Sequence, residues 1–158
     1  MEMISMKIIG IAPGLDGCMA LILHDDINLT DYVNSWYTPT HNISKNGKKW
    51  DYDIIEMADI LREFSPHLVV LEKQYGYGYG IWLGIINTLK LKNIIVSPQT
   101  WTKNMHKGIS GDNAKTKSII ACKQLFPNIN LKRTGSCKND DDLNKAKAIL
   151  LAVYGTKA

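Results

Sequence analysis

The sequence predicts an α/β fold, a mixed five-stranded sheet flanked by helices. Three short apolar runs come first, and a Pro-Gly turn at residues 12–17 joins the first two, as in an antiparallel hairpin. Segments with helical apolar spacing then alternate with two further apolar runs, which is typical of strand–helix crossovers. Antiparallel strands followed by crossovers predict a mixed sheet with helices on both faces.

The five predicted strands are short apolar or β-branched runs bounded by turn-forming residues. They cover residues 7–10, 18–23, 28–36, 68–71 and 93–96. The polar segment 38–49 contains Pro39 and Gly47, and it is interpreted as a mobile loop before the first helix.

Five helices are predicted where apolar residues recur at helical spacing. They cover residues 51–64, 81–91, 99–106, 114–126 and 142–154. Either Asp51 or Asp53 suits the N-cap of the first helix, and Ser65-Pro66 ends it.

Length and composition fit a single domain over residues 1–158. A chain of 158 residues can bury a sizeable core, and 45% hydrophobic with 22% charged residues is ordinary for a globular protein. No apolar run reaches the ~18 residues of a membrane span, and no signal-peptide pattern opens the chain. We therefore expect a cytoplasmic protein without a membrane partner.

The cysteines Cys18, Cys122 and Cys137 are odd in number, widely spaced and without a CxxC pair. This pattern predicts reduced thiols rather than a zinc site or a disulfide framework.

Positive charge is concentrated in one segment. Residues 99–138 hold eight basic residues against one acid, so the segment carries +7 while the whole chain carries +4. This is the footprint expected for phosphate contacts, although a solvated basic face gives the same pattern. The basic residues are Lys103, Lys107, Lys115, Lys117, Lys123, Lys132, Arg133 and Lys138.

Glu72 is the leading candidate for chemistry, because it ends the apolar run 68–71. A strand end at the carboxyl edge of an α/β sheet is where sites form, and a carboxylate there can hold a divalent metal. A solvated strand end is the alternative. Asp16, in the first turn, is interpreted as a turn residue rather than a ligand.

Two further clusters have both a functional and a structural interpretation. The acids 140–142 lie at the start of the last helix, where they either cap it or face Glu72 as metal ligands. Tyr75, Tyr77 and Tyr79 alternate with glycines after Glu72, and they either stack on unpaired bases or form a flap over a pocket.

Taken in order, five segments resemble the RuvC family of Holliday junction resolvases, within the RNase H-like nucleases. The likeness is closest to the phage and Gram-positive branch of that family. The segments are IIGIAPGLDG at 8–17, VVLEKQ at 69–74, VSPQTW at 96–101, residues 117–127, and AKAILLAVYG at 146–155.

The resemblance implies metal-dependent hydrolysis of phosphodiesters in four-way junctions and forks, by a homodimer in a bacterial or phage-infected cell. Two metal ions, Mg²⁺ or Mn²⁺, stabilise the attacking and leaving oxygens in such enzymes. Glu72 matches the carboxylate of the fourth strand, and Tyr75 matches an aromatic wedge, with Tyr77 beside it. Lys117 matches a lysine near the scissile phosphate, and Lys115 is a close second. The helix after Tyr79 is where the family pairs.

The sequence departs from the family pattern at three carboxylate positions. Ala12 stands where the first motif has Asp, Lys147 stands just before Ala148, and Asn144 lies one turn earlier. Asp141 or Asp142 remains as a substitute metal ligand.

These departures leave several functions open. The first hypothesis is a junction resolvase impaired by Ala12, and the second is a branched-DNA-binding protein without nuclease activity. A nuclease acting on RNA–DNA hybrids is a third. An actin-like sugar kinase is disfavoured because it needs two such domains.

Overall fold

The computed structural model describes residues 5–25, 28–133 and 141–158, which form seven strands and five helices. The strands are β1 (Met6–Ala12), β2 (Cys18–His24), β3 (Leu29–Tyr37), β4 (Thr40–Asn42), β5 (Trp50–Tyr52), β6 (Leu68–Glu72) and β7 (Asn93–Val96). The helices are α1 (Ile54–Phe64), α2 (Tyr77–Thr88), α3 (Pro98–Met105), α4 (Ala114–Leu125) and α5 (Leu143–Gly155).

Five strands form the central sheet, in the order β3-β2-β1-β6-β7. β2 pairs antiparallel with β1 and β3, whereas β6 pairs parallel with β1 and β7. The predicted mixed five-stranded sheet is confirmed. Its two central strands, β1 and β6, run in the same direction, so their carboxyl ends meet at the middle of one edge.

The sheet separates two apolar layers, because alternate residues of a strand point to opposite faces. On one face, Ile8 and Ala12 pack with α3, α4 and α5. On the other, Ile9 and Ile11 pack with α1 and α2. Helices therefore cover both faces, as predicted.

Helix α5 lies directly on β1 because Gly10 has no side chain. A Cβ at Gly10 would collide with the backbone of Ala148 and Ala152. This close approach sets the height of α5 above the sheet. Within the described residues, no helix is both long and apolar enough to cross a bilayer.

The interpretation of 38–49 as a loop was wrong, since β4 and β5 pair as a small two-stranded sheet. Each strand has three residues, too few to show the alternation that identifies a strand. The turn-forming residues between them are the tip of this hairpin.

The start predicted for the second helix was also wrong, because α2 begins at Tyr77 rather than at 81. Alternating glycines lower helix propensity, which hid the first turn. Tertiary packing offsets this low propensity. Gly78 leaves room for the Tyr52 hydroxyl, with which a Cβ at that position would collide. For α1, the N-cap is Asp53, whose Oδ1 accepts from Glu56 N at 3.1 Å, while Asp51 belongs to β5.

Candidate functional site

Glu72 ends β6 beside Ala12, at the carboxyl edge shared by the two central strands. The parallel register pairs Ile11 with Leu71, so residues 12 and 72 follow at the next position. Ala12 packs in the layer under α5, and Glu72 contacts α5 through Lys147. Both therefore face the same helix. The sequence predicted the position of Glu72 at a strand end, but it left open whether the last helix lies against it.

The Glu72 carboxylate is fully buried, and both of its oxygens have donors. Lys147 Nζ lies 2.8 Å from Oε1, and Gln74 Nε2 donates to the same oxygen at 2.6 Å. Trp101 Nε1 donates to Oε2 at 2.7 Å. A buried carboxylate is retained only where it is paired and hydrogen-bonded, and here one ammonium and two neutral donors supply those partners.

Sequence reasoning named Glu72 and Lys147 but did not pair them, and it missed Gln74 and Trp101 as partners of Glu72. Trp101 reaches Glu72 from α3, which Ser97 caps by accepting from Thr100 N. The signal available in the sequence was that Gln74 and Trp101 each lie inside a segment that resembles the family. Contacts between residues 29 positions apart are otherwise invisible in a single sequence.

The acids predicted as further metal ligands have other partners. Asp141 Oδ2 lies 2.7 Å from Lys123 Nζ. Asp142 caps α5, with Oδ1 accepting from the backbone of Asn144 and Lys145, and its Oδ2 lies 3.2 Å from Arg133 Nη1. Asp140 lies outside the described residues.

The described residues do not fit a divalent metal. Among them, no group of three or more His, Cys, Asp or Glu side chains could hold one. Position 12 offers a methyl group, and the Lys147 ammonium occupies the side of Glu72 where a cation would bind. Hard divalent cations need several oxygen ligands, and an ammonium group repels them.

Arg133 and Asn144 connect the β1–β2 turn to the start of α5. Asn144 Nδ2 donates to the Asp16 carbonyl at 3.1 Å. Arg133 Nη2 lies 3.9 Å from Asp16 Oδ1, and its guanidinium lies 4.2 Å above the Tyr37 ring. Arg133, predicted to bind DNA, thus has intramolecular partners, and Asp16 lies in the turn as expected.

The tyrosine segment lies at the same edge. Tyr75 is 100% exposed and Tyr77 is 68% exposed, whereas Tyr79 is partly buried against the α1–α2 layer. A cleft of about 200 Å³ separates Tyr75 from the first turn at Pro13. The exposed rings suit the predicted base contacts.

The remaining lysines of the basic segment lie on α3, α4 and the loops around them. Lys103, Lys107, Lys115 and Lys132 are exposed, and Lys117 is half-buried. The Lys117 charge lies close to His106, whose pKa is lowered by burial and then by that charge. His106 Nε2 is 2.8 Å from Ser118 Oγ, and its ring contacts Trp101. Lys138 lies outside the described residues.

Comparisons by sequence, against family models and against curated proteins, find no match. Solved structures do match. RuvC of T. thermophilus in complex with a Holliday junction substrate aligns with a TM-score of 0.53, at 14% identity over 97% of each chain. The Fowlpox virus resolvase in complex with Holliday junction DNA gives 0.56, at 18% identity over 96% of this chain and 97% of that one. This likeness shows the fold, which is the RNase H-like fold that the motifs implied.

Proposed function

We propose that this chain binds branched DNA, with four-way junctions and forks as its targets, and that it cleaves that DNA poorly. The ion pair between Lys147 and Glu72 carries the proposal. It replaces the metal-binding arrangement of a resolvase with a protein cation, while the fold and the exposed basic and aromatic residues remain.

Binding is supported independently of cleavage. The exposed lysines of the 99–138 segment suit phosphates, and they include the four-residue set Lys103, Lys107, Lys115 and Lys132. Tyr75 projects fully into solvent next to the first turn, which suits a side chain that stacks on bases at a branch point. Two solved structures with this fold hold Holliday junction DNA.

The second candidate is a crossover junction endodeoxyribonuclease that uses Mg²⁺ or Mn²⁺. Its metal ligands would be Glu72, Asp141 and Asp142, with Lys117 or Lys115 near the scissile phosphate. This candidate therefore requires those three carboxylates to leave their present partners, Lys147, Lys123 and Arg133. One observation favours it. Arg133 lies 3.2 Å from Asp142 Oδ2 and 3.9 Å from Asp16 Oδ1, so the Asp142 carboxylate lies near the turn that follows β1.

We also infer that two copies pair through the groove between α1 and α2. This groove of about 360 Å³ is mostly apolar and includes Ile54, Ala58, Ile81 and Ile85. A Cβ at Gly80 or Gly84 would meet nothing within 4 Å, so another backbone can approach closely there. Gly84→Arg should give a monomer by light scattering and Gly84→Ala should not. A monomeric parent chain contradicts the inference.

The proposed function is tested by a gel shift and a nicking assay on one labelled four-way junction and its matching linear duplex. Binding is measured in Ca²⁺ and cleavage in Mg²⁺. Selective junction binding with little nicking is the expected result. Symmetric nicking would favour the second candidate, and equal affinity for junction and duplex would overturn both.

A further inference from the structure

The β4–β5 hairpin carries a basic and aromatic surface outside the 99–138 segment. Lys45, Lys48 and Lys49 are exposed, and residues 41–50 contain no acid. In the described part of the chain, none of these three lysines is in an ion pair. Trp50 is 54% exposed at the start of β5. An exposed tryptophan beside three free ammonium groups is typical of nucleic-acid contacts.

The hairpin tip is held in one conformation by its own polar side chains. Ser44 Oγ accepts from the backbone of Lys48 and Lys49, both at 2.9 Å. Asn42 Oδ1 accepts from Ser44 N at 3.0 Å, and Ile43 N donates to Lys49 O at 2.8 Å. A preorganised tip loses less entropy when it binds a ligand than a loose loop does.

A cleft of about 500 Å³ separates this hairpin from the β1–β2 turn. Its lining residues combine aromatic, cationic and hydroxyl side chains. They are Leu15, Asp16, Tyr37, Thr38, Thr40, Lys48, Trp50 and Arg133. Thr38 is 4% exposed, and its hydroxyl has no hydrogen-bond partner among the described residues. The backbone of Thr38 joins the two walls of the cleft, because Thr38 N donates to the Gly17 carbonyl at 3.1 Å.

The first turn lies between this cleft and the surface around Tyr75, since Leu15 and Asp16 line the one and Pro13 and Gly14 line the other. Tyr52, in β5, packs edge-on against Tyr77 with ring centroids 5.8 Å apart. Tyr52 also lines the small cleft that Tyr75 shares with Pro13. Hence Trp50 and Tyr75 flank the first turn from two sides.

We propose that the cleft between the β4–β5 hairpin and the β1–β2 turn binds an unpaired nucleotide of a DNA strand next to the branch point. The base stacks on Trp50, and the adjacent phosphate contacts Lys48. Asp16 and Arg133, 3.9 Å apart, line the side of the cleft opposite the hairpin. Because the Asp16 carboxylate repels a phosphate, the phosphate lies on the hairpin side. This inference rests on the proposed function and names the strand contact that it uses.

The experiment compares Trp50→Ala and Lys48→Gln in the full chain with the matched controls Tyr32→Ala and Lys157→Gln. Tyr32 is also an exposed aromatic, and Lys157 is also exposed. Anisotropy measures binding to a fully paired junction, to the same junction with unpaired thymidines at the branch, and to oligothymidylate. Melting curves establish that each variant folds.

Trp50→Ala should weaken binding of oligothymidylate and of the unpaired junction by roughly 5- to 150-fold, the range for one base stacked on an aromatic ring. Lys48→Gln should reduce the slope of log affinity against log salt by about 0.7 on the single strand. The controls should change neither quantity. Because Trp50 is the most exposed of the tryptophans, oligothymidylate should also quench fluorescence in the parent and less in Trp50→Ala.

Equal binding of unpaired DNA by the parent and by Trp50→Ala would overturn this inference and leave the proposed function standing if junctions are still preferred. Competition by polyglutamate as strong as that by oligothymidylate would also overturn it, in favour of an acidic peptide. A third outcome is that the parent shows no preference for junctions but binds oligothymidylate in a Trp50-dependent way. That result would overturn the proposed function and support the cleft as a single-strand site.

Discussion

Lys147 Nζ lies 2.8 Å from Oε1 of Glu72, whose side chain is completely buried. The two residues come from α5 and β6, and they meet at the edge where the family resemblance implies carboxylates and metal ions. A positive side chain here stabilises Glu72 without a metal. Lys147, which departs from the resolvase pattern, is therefore also a residue that stabilises the folded protein.

Lys147→Met should destabilise the protein by about 3–5 kcal/mol, because it leaves a buried carboxylate without its counter-charge. The measurement is the free energy of unfolding in urea at neutral pH.

The matched control is the double variant Glu72→Gln with Lys147→Met. Since the charge is removed together with its partner, most of the lost stability should return. Equal destabilisation of the single and double variants would contradict the importance of the ion pair.

Ala12→Asp alone should not give Mg²⁺-dependent nicking of a junction, because Lys147 still holds Glu72. Ala12→Asp combined with Lys147→Asp should bind Mg²⁺, visible as a rise in Tm with Mg²⁺, and should show measurable nicking. Ala12→Asn with Lys147→Asn is the isosteric control and should respond to neither test. Nicking by Ala12→Asp alone would show that the Lys147 side chain can leave Glu72, as the second candidate function requires.

Tyr75→Ala should leave Tm within about one degree, because the ring is fully exposed and buries nothing in the fold. It should weaken junction binding by roughly tenfold, as expected for the loss of one stacking ring, and leave duplex binding unchanged. Tyr32→Ala, on β3, is the control. A parallel loss of junction and duplex affinity would contradict the wedge role.

The free energy of unfolding should fall as the pH is lowered through the range in which His106 titrates. Burial, and then the charge of Lys117, lowers the pKa of His106 below its ordinary 6.5. The unfolded chain therefore takes up the proton first. The stabilisation is fully present above about pH 6.5 and is lost as pH falls from there toward the folded-state pKa. His106→Gln can still bond to Ser118 but does not titrate, so the difference in unfolding free energy between parent and variant should change over that range. A constant difference would contradict the shift.

The thiols of Cys18 and Cys122 should be unreactive in the native protein. Burial raises the pKa of each to about 12, so almost none of either is thiolate at neutral pH. In Cys137→Ser, iodoacetamide should add no label to the native chain and two labels after unfolding, measured by mass spectrometry. Rapid native labelling would show that one of the two buried thiols is accessible.

Much of the fold was predictable because its signals are local. The run 68–71 is apolar throughout and is a fully buried strand, and the β-branched run 94–96 belongs to β7, the partly buried edge strand of the parallel half of the sheet. Helical spacing likewise identified α1, α4 and α5. Local signals failed at β4 and β5, which have three residues each, and in the first turn of α2, where Gly78 packs against Tyr52.

The sequence by itself determined the order of the five strands of the central sheet and the five helices, the position of Glu72 at a strand end and the absence of an acid at position 12, because each depends on neighbouring residues alone. Only the tertiary structure decided which donors reach Glu72. Lys147, Gln74 and Trp101 come from different parts of the chain, and they converge because Gly10 lets α5 lie directly on β1 while α3 packs beside it. The same is true of the hairpin cleft, whose two walls meet where Thr38 N, just before β4, donates to the Gly17 carbonyl of the first turn at 3.1 Å.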